Sequence, residues 1–279
     1  MCGIAGFYSL DGKAQPDVHL AIAWAMLSTR GVDASGAMWR TRTGGISTYT
    51  EPKPSLDIVT TVWPLITVTP DLQWVALHSR AASVGLPDNP KNNHPVAYGQ
   101  ILLTHNGAIY NAPQVFSELH KQPQAQVDTE AIAAALSVGG IKEVVSRCRG
   151  SMALAWADRS QPGTLHLYRN DRSPLWVSVN PGRWLVYASD KWLVPKQLHG
   201  KQSFELKAGN HLIVRSGSIG QEKVGTGKAW SSLPLSEELY NCYGLGCPLS
   251  QAHKHRTDHL PYSLHTAHGG TKHHATATE

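Results

Sequence analysis

The chain has 279 residues, of which 41% are hydrophobic and 16% are charged, a composition typical of a folded protein and not of a disordered one. The formal net charge is +5, but no stripe of Lys and Arg with interleaved aromatic residues accompanies it, so nucleic-acid binding is not expected. Four cysteines in a chain of this length are too few for a disulfide framework.

The first predicted elements are a buried strand over residues 3–9 and a helix over residues 17–30, with Asp17 as a candidate N-cap and Gly31 just past the end. The apolar part of this helix, HLAIAWAML, is too short to span a membrane. No basic segment typical of a signal peptide precedes it. We therefore expect a cytoplasmic protein with reduced thiols and no membrane association.

Strands dominate the rest of the chain up to residue 215. They are predicted around 36–50, at 74–80, at 100–107 and, as several short strands, within 150–215. A loop with three prolines covers residues 85–95. Many strands without a regular alternation with helices argue against a doubly wound parallel sheet and favour a layered α+β fold.

Three more helices are predicted. Two cover residues 112–122 and 128–138, with Asn111 and Asp128 as candidate caps. The third begins after Asp190, in the segment SDKWLVPKQL, which carries a proline that would kink it.

The sequence divides into three parts. Residues 1–215 form the main domain, residues 216–250 a Gly/Ser/Lys-rich linker with a small C-terminal extension, and residues 251–279 a His-rich tail that we expect to be disordered.

The C-terminal segment has residue types that can bind zinc, listed here in order: Cys242, Cys247, His253, His255 and His259. Their spacing matches no strong zinc template. The favoured interpretation is a docking segment followed by a solvated histidine tail, so no metal and no cofactor is expected.

Cys2 directly follows the first methionine. If Met1 is removed, Cys2 carries a free α-amine, whose unperturbed pKa of roughly 7.7–8.0 leaves it partly neutral at physiological pH. Such an amine can act as the base for the adjacent thiol. Taken alone, Cys2 is better explained as an incidental surface thiol.

Four further motifs follow in a fixed order. They are RGVD at 30–33, HSR at 78–80, HNG at 105–107 and DTE at 128–130. Each is weak by itself. Together with the N-terminal Cys-Gly-Ile, they resemble the glutaminase domain of the class II glutamine amidotransferases, which are N-terminal-nucleophile hydrolases. The resemblance extends from residue 2 to about residue 215 and implies a four-layer αββα sandwich with two stacked, mainly antiparallel sheets.

The resemblance also implies a role for each site residue. Cys2 is the nucleophile, and the Asn106 side-chain amide and the Gly107 backbone N–H stabilise the oxyanion. A guanidinium such as that of Arg80 suits the α-carboxylate of a free amino acid, and the carboxylate of Asp128 suits its α-ammonium. Structural alternatives stay open: a salt bridge for Arg80, a helix cap for Asp128, and a hairpin turn for Asn106 and Gly107.

Two more substrate-binding residues are expected by the resemblance. Arg30 supports the nucleophile and the loop over glutamine, or alternatively ties a turn. Ser83 stands where the family often has threonine. The sequence departs from the family pattern at Ala81, where an aromatic residue is usual, at Val84, and at Val32 within the RGVD turn.

The implied function is a glutaminase that converts L-glutamine to glutamate and ammonia through a thioester. Too few residues follow position 215 for a synthase domain, so a separate ammonia-acceptor protein is expected. Two alternatives remain: an amidohydrolase of another γ-glutamyl compound, and a non-catalytic binding or regulatory protein.

Overall fold

The computed structural model describes residues 1–16, 18–68 and 70–227, which belong to one compact unit. In this part of the chain the α-helices are α1 (Val18–Met26), α2 (Ser55–Thr67), α3 (Ala112–Leu119), α4 (Thr129–Gly139) and α5 (Ile141–Arg147). The strands are β1 (Gly3–Ser9), β2 (Ala34–Thr41), β3 (Ile46–Glu51), β4 (Leu72–Arg80), β5 (Val96–Tyr98), β6 (Ile101–Ile109), β7 (Gly150–Asp158), β8 (Leu165–Arg169), β9 (Trp176–Asn180), β10 (Trp184–Ala188), β11 (Gln202–Glu205), β12 (Asn210–Arg215) and β13 (Ser218–Lys223).

The strands form two sheets. Sheet A has seven strands in the order β11-β9-β10-β1-β4-β2-β3, and sheet B has six in the order β13-β12-β8-β7-β6-β5. Every strand pair is antiparallel. One apolar cluster lies between the sheets, a second joins α1 and α2 to sheet A, and a third joins α3, α4 and α5 to sheet B. The predicted αββα sandwich is therefore confirmed.

Strand β1 is central in sheet A, between β10 and β4. All seven of its residues are buried, because helices cover one face of the sheet and sheet B covers the other. Gly6 is required here: a Cβ on it would lie 2.4 Å from the Val75 carbonyl oxygen and 2.5 Å from the Tyr187 ring. The strand that begins with the predicted nucleophile is thus held on both edges and both faces.

The helix predictions succeed only in part. Helix α1 continues as a 3-10 turn to Thr29, as the 17–30 prediction requires, whereas Asp17 lies outside the described residues. The prediction of a helix after Asp190 is wrong. Two separate 3-10 turns, Lys191–Leu193 and Lys196–Leu198, stand there, because Pro195 between them has no N–H to continue a helix.

The predicted linker also begins too early. Residues Ser218–Lys223 form β13, which pairs with β12 through a hairpin whose turn contains Gly217 at φ 74°. Ile219 packs against the cluster between the sheets. Burial of this apolar side chain stabilises a strand in a segment whose Gly- and Ser-rich composition predicts a linker. The rest of the linker and the tail, with the Cys242 to His259 cluster, lie mostly outside the described residues, and their division stays a prediction. Within the described part, no helix is long and apolar enough to cross a membrane.

Candidate active site

One small cavity brings most of the predicted site residues together. Its volume is about 20 Å³. It is lined by Cys2, Arg80, Ala81, Ser83, Val84, His94, His105, Gly107, Val127, Asp128 and Thr129. Five of the seven predicted site residues are in this set. The other two, Arg30 and Asn106, lie next to it without lining it.

The candidate nucleophile, Cys2, is half-buried immediately before β1. Its thiol donates a hydrogen bond to the Ala81 carbonyl oxygen, with the sulfur 3.6 Å away. Burial raises the pKa of the Cys2 thiol, although the charged chain terminus and the Arg80 guanidinium oppose this rise. A thiol in this environment is mostly protonated at neutral pH and therefore needs a base to act as a nucleophile.

The backbone around Cys2 is fixed by side chains from two other segments. Arg30 Nε donates to the Cys2 carbonyl oxygen at 3.0 Å, and the Arg30 guanidinium lies 3.9 Å from Asp190. Ser189 Oγ accepts the Ile4 N–H at 2.8 Å. Arg30 thus contacts the backbone of the nucleophile and not the cavity. Sequence reasoning did not assign Ser189 or Asp190 to the site, because nothing in their local pattern shows that β10 ends beside β1.

Arg80 is the last residue of β4, and its side chain is buried. The guanidinium donates to Asn93 Oδ1 at 2.9 Å, to the Gly85 carbonyl at 2.7 Å and to the Val84 carbonyl. The structural alternative of a surface salt bridge does not hold, because the side chain is buried and donates to loop oxygens. Arg80 holds the loop that follows it and also lines the cavity.

The RGVD segment, residues 30–33, holds the loop that follows Arg80 through hydrogen bonds and close backbone contact. Asp33 accepts the Ala82 N–H through Oδ2 at 2.8 Å, and its own N–H donates to the Arg80 carbonyl at 3.0 Å. A Cβ on Gly31 would lie 2.3 Å from the Arg80 carbonyl carbon. The motif therefore has a physical cause: glycine permits close backbone approach and the carboxylate holds the loop.

Asp128 occupies the N-cap position of α4 but makes no side-chain capping bond. Its Oδ2 accepts the N–H of Ile109, at the end of β6, and the residue lines the cavity. The simple cap interpretation is therefore incorrect. The carboxylate instead places a negative charge in the cavity that Gly107 also lines.

Asn106 and Gly107 lie inside β6, not in a hairpin turn. Gly107 has φ 153°, and a Cβ on it would lie 1.9 Å from the Ser151 carbonyl oxygen. Asn106 is only 3% exposed. It stands four residues after Leu102, which packs between the sheets, so strand alternation places Asn106 on that inner face of sheet B.

Two buried histidines, His94 and His105, line the cavity, and a third, His78, contacts both of them. His78 Nε2 lies 3.1 Å from the His105 carbonyl oxygen, and the rings of His78 and His94 stack with centroids 3.9 Å apart. Thr129 Oγ1 lies 3.1 Å from His94 Nε2 and 2.9 Å from His105 Nδ1. Burial lowers the pKa of all three histidines, that of His78 to about 3. Sequence reasoning noted these histidines but gave them no role.

Burial of neutral histidines predicts a loss of stability in mild acid. The folded-state pKa of His78 is lowered from 6.5 to about 3, so below pH 6.5 the unfolded chain binds the extra proton. The contribution of the neutral His78 ring to the free energy of unfolding is complete above pH 6.5. It is lost as the pH falls toward 3, by about 1.4 kcal/mol per pH unit. Urea unfolding at pH 6.5 and pH 5 should therefore show a drop of roughly 2 kcal/mol from His78 alone.

The variant His78→Asn keeps an N–H donor. It should lower by about one the number of protons that the chain takes up on unfolding in mild acid, and so weaken the pH dependence of stability. His120→Asn, at an exposed position in the left-handed backbone region, is the matched control for the substitution itself. An unaltered pH dependence in His78→Asn would contradict the assignment of a neutral buried ring.

No group of three or more His, Cys, Asp or Glu side chains in the described part of the chain is placed to hold a metal ion.

Comparison with known proteins points to one family. Residues 78–195 match the model of a glutamine amidotransferase domain. The glutamine–fructose-6-phosphate aminotransferase of Thermococcus kodakarensis is 28% identical over 250 residues, which covers 82% of this chain and 38% of that enzyme. The corresponding enzyme of Pyrobaculum aerophilum is 31% identical over 157 residues, covering 51% and 25%. The chain thus spans well under half the length of these relatives.

Solved structures show the same fold. Glutamine phosphoribosylpyrophosphate amidotransferase from B. subtilis, complexed with ADP and GMP, superposes with a TM-score of 0.61 at 19% identity, covering 80% of this chain and 49% of that one. A glutamine aminotransferase class-II domain protein from Silicibacter pomeroyi gives a TM-score of 0.52 at 15% identity, covering 80% of this chain and 100% of that one.

Proposed function

We propose that the chain is a class II glutamine amidotransferase and that it hydrolyses the side-chain amide of L-glutamine through a thioester on Cys2. One observation carries the proposal. Cys2, Arg80, Gly107 and Asp128 come from four separate segments and line a single cavity. These four residues supply a thiol nucleophile, a cation for a carboxylate, a backbone N–H for an oxyanion and an anion for an ammonium. Glutamine hydrolysis requires all of these groups.

The base in this mechanism is the α-amine that Cys2 gains when Met1 is removed. Met1 is 84% exposed, so an aminopeptidase can reach it while β1 stays in the sheet. The amine accepts the thiol proton, and the thiolate attacks the amide carbon of glutamine. Because the pKa of the thiol is raised by burial, this adjacent base is needed at neutral pH.

The attack forms a tetrahedral oxyanion. The Gly107 N–H and the Asn106 side-chain amide stabilise its charge as the carbonyl oxygen becomes negative. The protonated amine then gives its proton to the leaving nitrogen, and ammonia departs. Water attacks the resulting thioester, which releases glutamate and restores the thiol.

Substrate specificity comes from the two charged ends of glutamine. Arg80 binds the α-carboxylate, Asp128 binds the α-ammonium, and Ser83 lies beside them. A cavity of about 20 Å³ has room for about one water molecule. We expect the Arg80 guanidinium to exchange its contacts with the loop carbonyls for contacts with the α-carboxylate of the substrate.

The ammonia acceptor is proposed to be a separate protein in the cytoplasm, where thiols stay reduced. The relatives named above are glutamine–fructose-6-phosphate aminotransferases, a name that implies an acceptor for the nitrogen of glutamine. Ammonia released without an acceptor would make the chain a plain glutaminase.

The test combines labelling and substrate comparison. The protein is incubated with 6-diazo-5-oxo-L-norleucine, a reactive glutamine analogue, and its intact mass is measured. We expect loss of Met1 and one adduct, which peptide mapping places on Cys2. Glutamine should be hydrolysed, whereas 4-carbamoylbutanoate, which lacks the α-amino group, should not, because Asp128 would face no cation.

A protein that takes no label at Cys2 would contradict the mechanism. Hydrolysis of γ-glutamyl peptides in preference to glutamine would reassign the substrate while keeping the nucleophile.

A further inference from the structure

The hydroxyl of Thr129 lies within hydrogen-bond distance of ring nitrogens of both His94 and His105. We propose that Thr129 is a positioning residue for the reaction: it sets the tautomers of both rings and thereby fixes the Gly107 backbone at the cavity. The inference rests on the proposed glutaminase function, since it concerns the backbone that would stabilise the oxyanion.

The tautomers follow from the hydrogen-bond partners. His105 Nε2 lies 3.0 Å from the Ser151 carbonyl oxygen, which can only accept, so Nε2 carries the proton. His105 Nδ1 is then a bare acceptor, and it receives the Thr129 O–H at 2.9 Å. With its proton committed there, the Thr129 oxygen accepts from His94 Nε2–H at 3.1 Å.

His78 obeys the same logic. Its Nε2 lies 3.1 Å from the His105 carbonyl oxygen, so it donates, and its Nδ1 is bare. The Nδ1 atoms of His78 and His94 are buried without partners. Both are acceptors in this assignment, so every ring N–H in the network has an acceptor. The lowered pKa values of the three rings agree with their neutral form.

The network ends at Gly107. The Ser151 carbonyl oxygen that accepts from His105 would lie 1.9 Å from a Cβ on Gly107, and His105 Nε2 would lie 2.6 Å from it. The next residue, Ala108, donates its N–H to the Ser151 hydroxyl at 3.1 Å. The His105 ring and Ser151 therefore occupy one side of Gly107 and hold its backbone in the conformation that the cavity requires.

Without the Thr129 hydroxyl, His105 Nδ1 loses its donor and His94 Nε2–H loses its acceptor. The His105 ring is then free to change tautomer or to rotate away from Ser151, and Gly107 loses its support. The effect should appear in the chemical step and not in glutamine binding, because Arg80 and Asp128 are unchanged.

Three variants test this. Thr129→Val keeps the side-chain shape without the hydroxyl, Thr129→Ser keeps the hydroxyl, and Thr104→Val is the control. Thr104 is a fully buried threonine on the same strand as Gly107, with its hydroxyl donating to the Ala155 carbonyl. Steady-state kinetics with glutamine and ¹⁵N NMR of the histidine rings are measured for each.

We expect Thr129→Val to lower kcat by about 10- to 100-fold, because a buried hydroxyl with two hydrogen bonds is lost, with KM changed by less than about twofold. The Nε2–H signature of His105 should be altered in the same variant. Thr129→Ser should keep both the tautomer and most of kcat, and Thr104→Val should resemble the wild type in both measurements.

The proposal is overturned if Thr129→Val keeps the wild-type tautomers and kcat, or if Thr129→Ser loses as much as Thr129→Val. A wild-type protein that does not hydrolyse glutamine would overturn the proposed function instead. In that case the ring tautomers and the Gly107 amide resonance still decide whether Thr129 fixes the network.

Discussion

Replacement of Cys2 by alanine is expected to abolish glutamine hydrolysis, with kcat lowered by about 10⁴-fold or more, as for other nucleophile deletions. The described cavity contains one thiol, and no other side chain in it can form the thioester. The fold should persist, because Cys2 precedes β1 and is only half-buried. Glutamine hydrolysis and thermal unfolding of the same preparation check both parts.

Cys148→Ala is the matched control. Cys148 is the other described cysteine, it is buried, and burial raises the pKa of its thiol to about 12. This thiol should contribute nothing to turnover. An N-terminal tag that keeps the Cys2 amine in a peptide bond should be as damaging as Cys2→Ala. Substantial activity in either the tagged protein or the alanine variant would exclude the proposed mechanism.

Replacement of Gly107 by alanine is expected to lower kcat by about 10²- to 10³-fold, the effect of one lost oxyanion donor. The new Cβ would lie 1.9 Å from the Ser151 carbonyl oxygen, which belongs to the backbone and cannot rotate away. The β6 backbone must therefore shift, and the Gly107 N–H turns away from the oxyanion. Kinetics of glutamine hydrolysis and labelling of Cys2 measure this loss.

Gly99→Ala separates this effect from backbone strain. Gly99 precedes the same strand at φ 57°, and a Cβ on it meets nothing within 4 Å. Its substitution costs about 1–2 kcal/mol of stability from the left-handed conformation alone and should leave kcat unchanged. Equal kinetic losses in the two variants would show that Gly107 acts through stability and not through the site.

Much of the site could be predicted from the sequence because its chemistry needs particular residue types at short spacing. Local motifs show three such features: a glycine where two backbone segments approach closely, a guanidinium at a strand end, and a cysteine beside the chain terminus. Their order along the chain pointed to the family, and the structure places Cys2, Arg80, Gly107 and Asp128 around one cavity.

The supporting network could not be predicted in this way. His78, His94 and His105 stand singly in strands and loops, with no period that links them. The common partner of His94 and His105 is Thr129, which lies 24 residues from His105 and 35 from His94. Only the packing of α4 against sheet B brings these side chains together, and no local pattern encodes that packing.

Two helices were missed for a different reason. Helix α2 is preceded by Pro54, contains Pro64 and is rich in β-branched residues, all of which disfavour a helix locally. Burial of Ile58, Val62 and Ile66 against sheet A stabilises it nonetheless. Helix α5 follows α4 after Gly140 and is too short for a clear periodic pattern.

The central position of β1 determines when the catalytic centre can form during synthesis. Its two neighbours in sheet A are β4, completed at Arg80, and β10, completed only at Ala188. At about 5–20 residues per second, the ribosome needs roughly 10–40 s between making the nucleophile and making its last strand partner. Until β10 has been made, β1 can pair only with β4 and lacks its partner on the other edge. The strand that is made first is thus among the last to gain both of its neighbours.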